Sequence, residues 1–276
     1  MSLISYVTRI HFADRVLEDA LPEEARAVGL RRPLLLWDAE GEAGEGAERA
    51  LEALPAGCRP VLAPRLPTPV PSAETRRLAR LCLEAGCDGV LGVGGAAALD
   101  LARLLGAARE DRPALPVVAA PATSAAVGLG PLGGAVSGLS AAGPMIPAVI
   151  LCDPTLGLAV PPERTAAAGM DALAHCLESY LAASWNPPAD GIALDGLRRA
   201  AAFPERAVAD GRDLEARREL LAAALDAGLA AQKGLGGLHA AARALEAEAG
   251  LADRHGLLHA ALLPHVLAFN APALAD

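Results

Sequence analysis

The chain has 276 residues, 53% of them hydrophobic but only 3% aromatic, so its core must be built from Ala, Leu and Val. That length suits one large domain or two modest ones. Its 24 basic and 33 acidic side chains leave a net charge of −9 with no basic cluster, which excludes the electrostatic footprint of a binder of nucleic acid or anionic membrane.

Mean hydropathy is +0.33, yet charged residues, Gly or Pro interrupt every apolar stretch before the roughly 20 residues a span requires. The five cysteines contain no CxxC pair, which points to buried thiols in a reducing compartment. The opening MSLISYVTRIHFADR lacks the basic-then-apolar layout of a signal peptide. A soluble, cytoplasmic α/β protein is the expectation.

In chain order, residues 32–38 (RPLLLWD) predict a strand and residues 45–54 a helix. A short strand at 60–63 precedes a Pro-rich loop, LPTPVP. Residues 72–86 predict a helix with Ser72 as N-cap and Gly86 as its stop. Residues 88–93 read as an apolar strand running into Gly94 and Gly95, followed by a helix over 96–106 and a strand over 115–120. This alternation argues a parallel sheet covered on both faces. Residues 123–147, rich in Gly, Ala and Ser, predict loop or a small hairpin, and 148–152 a last strand. Beyond Pro161-Pro162 only helices are expected, over 164–183, 190–201, 213–231, 238–250 and 257–269. The expected domains are residues 1–157, α/β and nucleotide-binding, and residues 158–276, helical and metal-binding.

Asp171 and His175 stand four apart in GMDALAHCLE, which on a helix sets carboxylate and imidazole on one face. Such a pair can hold a metal, or can be a helix-surface pair or a satisfied core histidine. Four of the six histidines fall in a later stretch: His239 after KGLGGL, His255 after GLADR, then His259 and His265 on the following helix. One Asp and three His from separate segments suit Fe(II), Zn(II) or Mn(II) and leave positions open for substrate.

The stretches DPTLGLAVPPERTAAAGMDALAHCLESY and HGLLHAALLPHVLAFN resemble the two signatures of the iron-containing (group III) alcohol dehydrogenase family, with maleylacetate reductase as a sister branch. The resemblance runs from about Thr8 onward. It implies a Rossmann-like parallel-sheet domain followed by an all-helical, dehydroquinate synthase-like domain. It also implies Asp171, His175, His239 and His255 as ligands of Fe2+ (or Zn2+). The reductase branch carries Asn at position 171, so Asp171 favours metal dependence, whereas His259 and Asn270-Ala271-Pro272 are closer to the reductases. His259 is expected either to support the metal ligands from behind or to contact substrate, where it could relay a proton. His265 is expected to be structural. Arg243, where the family has another His, would disfavour a metal unless its head points to a carboxylate such as Glu246 or to substrate, and so hints at an anionic substrate.

Leu91 to Arg103 reads LGVGGAAALDLAR. A glycine turn after a strand lets backbone approach a pyrophosphate at the helix N-terminus, although tight packing explains such a turn equally well. The family run is GGGS followed by Asp and Lys. This chain keeps Gly94, Gly95 and Asp100, and has Ala96, Ala97 and Arg103 at the other positions. In PATSAAVGLGP, at residues 121–131, Thr123 is retained but the family's later Ser and Glu are not. Asp38, ending the first main strand, is expected to bind ribose hydroxyls and favour NAD over NADP, or else to start a turn.

The implied activity is hydride transfer between a nicotinamide cofactor, NAD, and a small alcohol or carbonyl substrate, in a homodimer. The altered cofactor loops keep a non-redox metal enzyme on the same frame open as an alternative. The sequence stops at Asp276, where family members continue with helices that close the metal cleft. It is either a piece of a longer chain or a short form, and a short form keeps a non-catalytic descendant open as a further alternative.

Overall fold

The computed structural model describes residues 8–38, 44–107, 113–123, 146–249, 251 and 254–273. Six strands form one parallel sheet: β1 (Arg9–Phe12), β2 (Leu34–Trp37), β3 (Val61–Leu62), β4 (Val90–Gly94), β5 (Val117–Pro121) and β6 (Val149–Cys152). Their spatial order is β1-β6-β5-β4-β2-β3, with every pair parallel. The strands read as continuous apolar runs because both faces are covered. Leu34 and Leu36 point into one layer and Leu35 into the other, as period-two side chains must. Helices α3 (Ser72–Glu84) and α4 (Ala96–Gly106) cover the first face, and α1 (Val16–Ala27) and α2 (Glu45–Ala53) the second.

Several details differ from expectation, among them a short helix over Pro204–Ala209 that was not expected. Pro71, in extended conformation, stands at the cap of α3, and Ser72 is its first helical residue, with no side-chain cap bond. Proline serves here because its ring fixes φ while an N–H at this point would lack a helical partner. Helix α1 is an addition; Pro22 inside it masks its periodicity in the sequence. The predicted loop over 123–147 lies, for residues 124–145, outside the described residues.

After β6 the described chain is helical: α5 (Pro162–Leu181), α6 (Pro187–Ala202), α7 (Pro204–Ala209), α8 (Leu214–Ala230), α9 (Gly237–Ala249) and α10 (His255–Asn270). Asp153 anchors the junction. Its fully buried carboxylate accepts from the Thr155 N–H and hydroxyl, from the Arg15 N–H, and from Arg49. Leu221 and Ala224 of α8 pack onto Leu99, Ala119, Ile150 and Cys152, so helices and sheet share a core. No helix among the described residues is long and apolar enough to cross a membrane.

Asp226 on α8 is held at a cost. Burial, then Asp195, pushes its carboxyl up to about 7, against the pull of Arg199. Between the ordinary 3.8 and about 7, the folded chain keeps a proton that the unfolded chain has released. Stability therefore falls as pH rises through that window and levels off above it. Asp226→Asn is expected to raise stability at pH 8 by about 2–4 kcal/mol and to leave it unchanged near pH 4. Urea midpoints at the two pH values measure this; an equal shift at both would contradict the assignment.

Candidate metal centre

Three helices bring one face each to a common point. Asp171, His175 and Glu178 lie at i, i+4 and i+7 on α5, His239 and Glu246 seven apart on α9, and His255 and His259 four apart on α10. Each spacing returns a side chain to the same side of its helix. The α5–α10 crossing is tight because Gly256 allows it: a Cβ there would lie 2.0 Å from the Ala167 carbonyl oxygen. That contact sets the first turn of α10 beside Asp171.

The donor atoms converge. Asp171 Oδ1 lies 3.3 Å from His175 Nδ1, 3.7 Å from His255 Nε2 and 3.3 Å from His259 Nδ1. His239 Nε2 lies 3.1 Å from His175 Nε2. Donors about 2.1 Å from one ion in a tetrahedral shell are spaced about 3.4 Å apart. One atom each from Asp171, His239, His255 and His259 fall within 4.8 Å of one another; His175 lies against this set through Asp171 and His239.

Two glutamates aim the rings: the sequence expectations missed Glu178 and offered Glu246 only as a partner for Arg243. Glu178 accepts from the N–H groups of Gly236, Leu238 and His239 at the start of α9, and from His239 Nδ1 at 2.7 Å. Glu246 accepts from His255 Nδ1, also at 2.7 Å. A proton fixed on Nδ1 leaves the Nε2 lone pair for a metal. His175 Nδ1 lies 2.9 Å from the Asp171 carbonyl oxygen, which orients that ring from within its own helix. The signal for the glutamates was the seven-residue spacing from Asp171 to Glu178 and from His239 to Glu246.

The electrostatics suit a cation. Burial pushes His239 and His255 down to about 4, so both rings are neutral near pH 7. Burial opposes the charge on Asp171, but the surrounding histidines, His175 first, hold its carboxyl well below the usual range. Burial likewise opposes Glu178, and the His239 ring with three backbone N–H donors holds it at about 2. Asp171 Oδ1 and both ring nitrogens of His259 are buried without a hydrogen-bond partner among the described residues. Such atoms are costly unless something binds them, and a divalent ion can take Asp171 Oδ1 and one nitrogen of the His259 ring. His265 stands apart, exposed on the outer side of α10. The charge of Arg243 acts on Glu246, His175 and His255.

Asp38, Gly94 and Gly95 meet at the carboxyl ends of β2 and β4, where strand order reverses and open α/β sheets bind ligands. The Asp38 carboxylate accepts from the Gly95 and Ala98 N–H groups at 3.0–3.1 Å and so occupies the N-terminus of α4. Gly94 has φ +132, and a Cβ there would lie 2.4 Å from Asp38 Oδ1; only glycine permits this approach. Beside it opens a cavity of about 450 Å3 lined by Asp38, Arg49, Gly94 and Arg212 among others. Asp100 forms a buried ion pair with Arg103 at 3.0 Å, one turn along α4. The buried Thr123 hydroxyl has no hydrogen-bond partner among the described residues.

Comparison with known proteins agrees with this arrangement. Residues 8–128 match the profile described as iron-containing alcohol dehydrogenase, and residues 165–276 the C-terminal region of the Fe-containing alcohol dehydrogenase family. A 4-hydroxybutyrate dehydrogenase of Cupriavidus necator is 38% identical over 303 aligned positions, covering 99% of this chain and 78% of that protein. A 1,3-propanediol oxidoreductase superposes with TM-score 0.86 at 25% identity, over 99% of this chain and 77% of that one. Maleylacetate reductase from Agrobacterium tumefaciens superposes with TM-score 0.83 at 26% identity, over 100% and 78%.

Proposed function

Because the chain belongs to the iron-containing alcohol dehydrogenase family, and with it to the metal-dependent, nicotinamide-linked oxidoreductases, we propose that it interconverts a short hydroxy acid and the matching aldehyde. The 4-hydroxybutyrate named for its relative is the first substrate to try. Asp171, His175, His239 and His255 are the side chains proposed to hold Fe2+ (or Zn2+). A divalent ion there supplies Lewis acidity toward the alcohol or carbonyl oxygen. The observation that carries this reading is the unsatisfied Asp171 Oδ1, buried among imidazoles at ligand spacing.

The residues have separate tasks. Asp171 supplies negative charge, Glu178 and Glu246 fix ring orientation, and the packed helices exclude bulk water. Gly94 and Gly95 line the proposed track of NAD, with the unpartnered Thr123 hydroxyl as a further donor. Asp38 must turn from the Gly95 and Ala98 N–H groups before a phosphate can take them. Its carboxylate would then face ribose, and its charge disfavours a 2′-phosphate. Asp100 holds Arg103 inside α4 and so shapes that helix. Arg243, one turn after His239, is the proposed partner of a substrate carboxylate. A cytoplasmic homodimer is the proposed setting, in keeping with five free cysteines.

Protein loaded anaerobically with Fe(II) is expected to reduce NAD+ with 4-hydroxybutyrate faster than with 1-butanol, and to stop on addition of chelator. Arg243→Met is expected to raise KM for the hydroxy acid by about 10–100-fold, the worth of one charge-assisted pair, while sparing the plain alcohol. No turnover of any short alcohol or hydroxy acid by the metal-loaded protein at millimolar NAD+ would overturn the reading.

A further inference from the structure

His259 is the one residue of the cluster whose ring the family ligand set leaves without a task. Its side chain is fully buried. Its ring centroid lies 4.2 Å from that of His255 and 4.3 Å from that of His239. A neutral imidazole carries one N–H donor and one lone pair, and here neither nitrogen finds a hydrogen-bond partner among the described residues. The nearest polar atom given for it, Asp171 Oδ1 at 3.3 Å, fails hydrogen-bond geometry. That distance is the spacing of two donors on one ion. A structural histidine in a packed core is ordinarily satisfied. A proton relay needs an outlet, and a ring with no solvent exposure and no bonded neighbour provides none.

We infer that His259 is itself a ligand of the ion, a fifth protein donor beside Asp171, His175, His239 and His255; this rests on the metal reading above. The four donor atoms within 4.8 Å of one another include His259, and His175 joins them through Asp171 and His239. Its chemical consequence concerns metal choice. Five protein donors plus one substrate oxygen make six, a number that suits Fe(II) better than Zn(II), which favours four.

The test is titration of the metal-stripped protein with Co(II), read by its visible absorption and by competition with a chelator. Wild type is expected to take one Co(II) per chain with the weak bands of a high-coordination site. His259→Asn is expected to intensify and shift those bands as the coordination number falls, and to weaken affinity more than about 100-fold, beyond the 10–100-fold typical of residues that only orient a ligand. His265→Asn, on the same helix but exposed, should change neither. Unchanged bands in a folded His259→Asn protein, whatever its affinity, would overturn the inference and leave the metal reading standing. Failure of wild type to bind Co(II) would overturn both. Should His259→Asn not fold, wild type alone decides by proton NMR of the Co(II) form. Four strongly shifted exchangeable imidazole N–H signals support five donors, and three contradict them.

Discussion

Asp171→Asn is expected to abolish tight metal binding and, with it, turnover. Within the cluster Asp171 supplies the charge, and His239 and His255, held at about 4 by burial, supply neutral nitrogens. The substitution keeps size and shape, so a packing change cannot explain the loss. Removing the one charged member of a buried set that holds an ion costs about 3–5 kcal/mol by analogy with a buried ion pair, which corresponds to a loss of affinity of about 100- to 1,000-fold or more. The Asp171→Asn protein should remain folded when metal-free, and activity should return only partly at high Fe(II). Wild-type affinity in the variant would remove Asp171 from the ligand set.

Glu178→Ala is expected to produce the second largest effect, and on two readouts at once. Its carboxylate accepts from three N–H groups at the start of α9 and from His239 Nδ1. It therefore caps a helix and fixes a ring with the same two oxygens. Loss of the cap and of a buried charged acceptor should cost about 2–4 kcal/mol of stability. Loss of the ring's orienter should weaken metal binding by about 10–100-fold.

The acid limb of stability carries the signature of the same residues. Glu178 has a folded value near 2 against 4.5 ordinarily, so its contribution is present above pH 4.5 and disappears as pH falls toward 2. The buried rings of His239 and His255, at about 4 against 6.5, take up protons more readily when unfolded. They contribute a loss of stability as pH falls from 6.5 to 4. On acidification the metal-free protein should therefore lose these two contributions in turn, the first of them against the opposite contribution of Asp226 between about 7 and 3.8, and Glu178→Ala should flatten the lower loss. A single step unaffected by the substitution would contradict this account of the cap.

The two halves of the chain differed in how plainly the sequence announced them. Strands β2, β4, β5 and β6 were visible because both faces of a parallel sheet demand uninterrupted apolar residues, as in LLLW and VILC. Helix α1 was hidden by Pro22 in its middle. The Asp171–His175 spacing and the later histidines pointed to one metal, and the structure brings all four, and His259, together. Glu178 escaped notice, and Glu246 was read only as a partner for Arg243, because a carboxylate seven residues from a ligand is common on any helix, and only the fold shows which imidazole it meets. Asp38 shows the reverse limit. Its place at the end of β2 could be read from sequence, but the turn of its carboxylate onto the N-terminus of α4 depends on Gly94 giving way, a contact between residues 56 apart in the chain.

The most direct test is the metal content of the purified protein after exposure to Fe(II) or Zn(II) and removal of excess, measured on wild type and Asp171→Asn side by side. One divalent ion per wild-type chain, absent from the variant, is the predicted result. An ion-free wild type, or equal loading of both proteins, would contradict it.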